Sequence, residues 1–98
     1  MTRNDVLDRL RSESQHLRER YGVDRLALFG SVARDEALPG SDVDVLVDFN
    51  RPVTLFDIVA VQQYLEQCLD GRKVDVVQRD SIYPEFREAI LGGAVNVS

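Results

Sequence analysis

One cysteine, one histidine and no apolar run long enough to span a bilayer close off several routes to function at the outset. Cys68, being alone, excludes an internal disulfide and any multi-cysteine zinc site, and reads as a small buried or half-buried hydrophobe. His16 lies among Ser, Gln and Arg in a helical pattern, where a lone imidazole is far more often solvated than catalytic. The opening MTRNDVLDRL carries charges where a secretion signal needs an apolar core, so a cytoplasmic protein without membrane contact is expected. Positive charge is scarce too. Lys and Arg number 12 against 17 Asp and Glu, a net charge of −5, so the body repels phosphate backbones and direct nucleic-acid binding is not expected. A basic protein partner, or a small anion held through a metal ion, fits that sign. Repeats, low-complexity tracts and linkers are missing as well. With 44% apolar and 30% charged residues, the chain reads as one compact domain over residues 1–98.

What is present is an alternation of helical and strand patterns. Val6, Leu7, Leu10, Leu17 and Tyr21 recur at helical spacing, predicting one amphipathic helix over residues 4–21 that Gly22 ends. RLALF (25–29) predicts a buried first strand, and SVARDEAL predicts a short helix capped by Ser31. Pro39-Gly40-Ser41 marks a turn. DVDVLVDF (42–49) is the clearest strand, with Val43, Val45, Val47 and Phe49 on one face and Asp42, Asp44, Leu46 and Asp48 on the other. Thr54 and Asp57 form an acidic capping box opening a helix to residue 70, with Leu55, Ile58, Val59, Val61, Gln62 and Leu65 facing inward. KVDVV (73–77) is a third strand, and Ser81, with Pro84 in the first turn, starts a last helix to residue 91. The tail AVNVS is a short edge strand or a docking segment. This order predicts an α/β domain: a small mixed sheet of three or more strands flanked by helices.

Asp42 and Asp44, two apart on one strand, leave the same face with Cα atoms roughly 6–7 Å apart, a spacing that suits carboxylates clasping divalent ions. Asp75 is a lone acid in an apolar strand. Were the two strands neighbours, three carboxylates would converge. At about 6 Å and an effective dielectric of about 20, each pair would repel by roughly 3 kcal/mol, a penalty that bound Mg²⁺ would remove. A D-x-D alone is more often a solvated strand edge, and a Gly-Ser turn alone is common. Gly30-Ser31, however, lies between a strand end and a helix start, where backbone N–H groups and a hydroxyl can hold phosphate oxygens. The combination of turn, paired acids and third acid is what carries weight.

That combination, G-S-x-A-R followed by S-D-x-D-x-x-V and then a lone Asp in V-D-V-V, resembles the minimal nucleotidyltransferases of the DNA polymerase beta-like superfamily. In particular it resembles the small proteins paired with HEPN-domain partners as toxin–antitoxin modules. The resemblance covers nearly the whole chain. It implies that Gly30 and Ser31 form the nucleotide-phosphate turn, that Asp42 and Asp44 bind metal, and that Asp75 is the third carboxylate. Arg34 either reaches a phosphate or pairs with Asp35 or Glu36. One departure stands out: Asp35 occupies the position where the family usually has Gly, adding a negative charge near the phosphate site.

The resemblance further implies ATP as substrate and two Mg²⁺ ions held by Asp42, Asp44 and Asp75. It also implies a HEPN ribonuclease toxin as partner in a hetero-oligomer, with a toxin tyrosine accepting AMP. Two other readings remain: an antitoxin that neutralises its toxin by binding alone, and nucleotidyl transfer to a small molecule.

Overall fold

The computed structural model describes residues 1–97. Alternating valines and leucines build one mixed sheet of four strands in the order β3-β2-β1-β4. Strands β1 (Val23–Phe29) and β2 (Val43–Phe49) are antiparallel, and β4 (Val95–Asn96) lies antiparallel on the other side of β1. Strand β3 (Val74–Gln78) runs parallel to β2, a pairing that requires a crossover, and α4 (Leu55–Cys68) supplies it.

The sheet has two unlike faces. On one, Val43, Val45 and Val47 pack with Leu26 and Leu28 beneath α1 (Arg3–Ser12), α2 (Ser14–Tyr21) and α4, through Val6, Leu10, Leu17, Val61 and Leu65. On the other, Ala27, Leu46 and Ile82 gather Phe29, Val77, Ile90 and Leu91 into a smaller cluster under α5 (Pro84–Leu91). This second layer covers only part of its face. The acids of β2 and β3 stand on the remainder.

Several expectations from the sequence need correction. The single helix over 4–21 is two helices, with Glu13 between them at φ −101° and ψ −1°. The hydroxyls of Ser12 and Ser14 donate to the carbonyls of Arg9 (2.7 Å) and Arg11 (3.0 Å), competing with the helical ladder at the bend. The Tyr64 hydroxyl donates to the Glu13 carboxylate and ties the bend to α4. Ser31 is not a helix cap. The helix after β1 is α3 (Gly30–Ala33), four residues long with Phe29 before it, and Ser31 is its second residue.

The capping box of α4 forms as read, the Thr54 N–H donating to Asp57 Oδ2 at 2.8 Å and the Asp57 N–H to Thr54 Oγ1 at 3.3 Å. Its inward face is narrower than expected: Val61 and Leu65 are buried, whereas Leu55 is 75% and Val59 41% exposed. The last helix begins at Pro84, because Arg79–Ser81 form a 3₁₀ turn and extended Ile82 sinks into the second cluster. The tail is an edge strand over Val95–Asn96, and Ser98 lies outside the described residues. Among the described residues, no helix is long and apolar enough to cross a membrane.

Candidate active site

The register of three strands sets the site. Asp44 on β2 stands opposite Phe29 on β1 and opposite Asp75 on β3. Side chains opposite one another on paired strands share a face, so Asp44 and Asp75 are neighbours on the partly covered side. Asp42 precedes β2 by one residue and, two positions before Asp44, belongs to the same face. Asp44 is half-buried, while Asp42 and Asp75 are exposed.

Gly30 follows Phe29 directly and turns the chain over Asp44. Its φ is +74°, and a Cβ placed there would lie 2.2 Å from Asp44 Oδ2. Only glycine allows both the left-handed backbone and this approach. The first N–H groups of α3 lack intrahelical partners, and Ser31 contributes a half-buried hydroxyl, so turn and acid form one continuous surface.

The carboxyl of Asp44 titrates above the usual aspartate range. Burial is the main cause, followed by the charges of Asp75 and Asp42, with the Arg34 guanidinium pulling the other way. Arg34 itself is exposed and donates from Nε to Glu36 Oε2 at 3.1 Å. Asp35, the departure from the family pattern, adopts φ +60°, the left-handed conformation a glycine would take there.

Among the described residues, no three His, Cys, Asp or Glu side chains converge as a ready metal cage. The fold brings Asp42, Asp44 and Asp75 onto one face without closing them around a point. Their chemistry, carboxylate oxygens alone, fits a hard divalent cation such as Mg²⁺.

Three residues that shape this face carried little signal in the sequence. Arg79 donates from Nε to Asp48 Oδ2 at 2.9 Å in a half-buried pair, neutralising the fourth acid of the face. The negative charge left unpaired on this face is thereby concentrated at the Gly30 end. Arg72 donates from Nη2 to the Ser41 carbonyl at 2.9 Å, fixing the chain just before Asp42. Glu66 Oε2 accepts the Val74 N–H at 3.1 Å, just before Asp75. A cation directly after an apolar strand is the one trace Arg79 leaves in the sequence. Cys68 is half-buried at the end of α4, and exposed His16 stacks its ring 5.0 Å from Tyr64. Both belong to the helical side of the sheet, away from the acids.

Residues 10–96 match the nucleotidyltransferase domain family. The protein adenylyltransferase MntA of Thermococcus cleftensis is 36% identical over 97 residues, which covers 99% of this chain and 97% of that one. A solved minimal nucleotidyltransferase superposes with a TM-score of 0.79 at 38% identity, covering 97% of this chain and 95% of its own. A chain from the complex of tri-AMPylated Shewanella oneidensis HEPN toxin with MNT antitoxin shares the fold, with a TM-score of 0.66 at 17% identity over 94% of this chain and 71% of that one.

Proposed function

Because the chain belongs to the nucleotidyltransferase domain family, we propose that its acidic face transfers AMP from ATP to a tyrosine of a HEPN-domain toxin, making it a catalytic antitoxin. The observation that carries this reading is the register of Asp44 against Asp75, with the Gly30 turn closed over Asp44. Phosphate-binding turn and carboxylates are built on adjacent strand ends, so neither can shift without the other. The name of the Thermococcus relative supports the reaction type, and the Shewanella complex supports the class of partner.

In this reading Gly30 and Ser31 hold the β- and γ-phosphates through backbone N–H groups and the Ser31 hydroxyl. Asp42, Asp44 and Asp75 would hold Mg²⁺, which when bound supplies charge stabilisation to the transferring phosphoryl group. The acceptor oxygen bonds to the α-phosphorus as the bridging bond to the β-phosphate breaks. Pyrophosphate leaves with the electron pair, and the hydroxyl proton passes to Asp75 or to water. Arg34, released from Glu36, lies close enough to influence Asp44 and would meet a phosphate oxygen.

Purified HEPN partner incubated with this chain, Mg²⁺ and ATP labelled in its α-phosphate should acquire label on tyrosine. Asp42→Asn with Asp44→Asn should abolish transfer. Labelling that persists in the double variant overturns the assignment, and full neutralisation of the toxin without ATP would favour antitoxin action by binding alone.

A further inference from the structure

Nucleotidyl transfer is an in-line displacement, so the entering and leaving oxygens lie on opposite sides of the α-phosphorus. That requirement gives the sheet a direction. The Gly30 turn, which holds the leaving phosphates in the reading above, stands at the end of β1, and the carboxylates follow on β2 and β3. The acceptor must then come from the far side, across β3, which is the edge of the sheet.

The surface waiting there is a shallow groove between the loop that leads into Asp42 and the turn that leads into Asp75. It is lined by Leu38, Pro39 and Ser41 from the first and by Arg72 and Lys73 from the second. Lys73 also borders the neighbouring depression that contains Asp42 and Asp75, so groove and carboxylates are continuous. Arg72 is anchored on the Ser41 carbonyl, which holds the two walls together. The Lys73 carbonyl accepts the Val43 N–H at 2.9 Å, while its side chain is exposed and makes no hydrogen bond or ion pair among the described residues. Leu38 leaves 73% of its surface in water. Two adjacent cations and an exposed leucine are an unusual lining on a chain of net charge −5. The acids facing Lys73 are Asp42, Asp75 and Glu66, and Glu66 is occupied by the Val74 N–H.

We propose that this groove seats the acceptor segment of the partner protein: an extended stretch whose hydroxyl-bearing residue is flanked by acidic side chains, which meet Lys73 and Arg72, and by an apolar one, which covers Leu38. The proposal rests on the nucleotidyl-transfer reading for its direction and adds to it the acceptor's charge. Lys73 is a specificity residue that holds the acceptor by charge, while the proton and phosphoryl chemistry stays with the aspartates.

The test uses the full chain with Mg²⁺ and two fluorescein-labelled peptides, a tyrosine flanked by Asp and Glu and the same tyrosine flanked by Lys. The acidic peptide should bind at least about fivefold tighter, and the preference should shrink as salt rises from about 0.05 to 0.3 M. Lys73→Glu should erase or reverse the preference in a protein whose circular dichroism and melting remain those of the folded domain, and Leu38→Ala should weaken both peptides alike. Equal binding of the two peptides, binding of neither, or a preference that survives Lys73→Glu overturns the groove. Failure of AMP transfer alone, with the charge preference intact, overturns the reaction and leaves the groove standing.

Discussion

Gly30 and Asp44 are the tightest pairing in the site, and they make opposite demands on stability. Gly30→Ala adds a methyl 2.2 Å from Asp44 Oδ2 at a φ of +74°. The carboxylate is the part that can give, so the side chain will swing off the turn. The variant should lose on the order of 1–3 kcal/mol in denaturant melts and nearly all transfer activity. Asp44→Asn should do the reverse to stability. Folding raises the Asp44 pKa, so the native state favours the protonated acid, and that contribution fades as pH climbs through the folded value. In EDTA at pH 7 the Asn variant should therefore melt higher, and the two proteins should converge in acid. A gap that widens in acid would contradict the placement of the three charges. Asp35→Gly tests the remaining departure. It relaxes a φ of +60° and removes an acid near the Gly30 turn, so stability should change by less than about 0.5 kcal/mol while, if that turn holds phosphate as proposed, the KM for ATP falls a few-fold at low salt. The shared face of Asp42 and Asp44 was legible because a strand's period of two fixes which side chains stand together. The pairing of Asp75 with Asp44 was not, since no local pattern states which strands are neighbours or in what register.

At the scale of elements, capping chemistry was more readable than packing. Thr54 and Asp57 form their reciprocal bonds as the residues suggest, and Thr54→Ala should cost about 1 kcal/mol in melting experiments without altering transfer. Activity is spared because α4 starts beyond the end of β2, while the acids lie at that strand's beginning. The same helix misleads in its first turns. Leu55 and Val59 have the spacing of a core stripe yet stay exposed, because the buried stripe begins only at Val61. Periodicity reports which residues would share a face and not how far along the helix the sheet reaches. The break at Glu13 escaped for a related reason: Ser12 and Ser14 are tolerated inside helices, and only their bonds to Arg9 and Arg11 reveal the bend.

Charge is segregated across the whole molecule. Among the described residues, the face beneath α1, α2 and α4 buries only apolar side chains, whereas the opposite face carries Asp42, Asp44, Asp48 and Asp75, of which Asp48 alone is paired, to Arg79. The unfolded chain scatters these acids, so under the proposed function a divalent cation held by them would bind the native state alone and add to stability by mass action. Mg²⁺ at about 100 times its dissociation constant should add about 2.7 kcal/mol, which for a domain of this size is a rise in Tm on the order of 10 °C. Sodium chloride at matched ionic strength screens the same repulsion diffusely and should give much less. The decisive comparison is the variant Asp42→Asn with Asp44→Asn: it should start from a higher Tm in EDTA and gain almost nothing from Mg²⁺. An equal gain in both proteins would place the cation elsewhere and deprive the acidic face of its function.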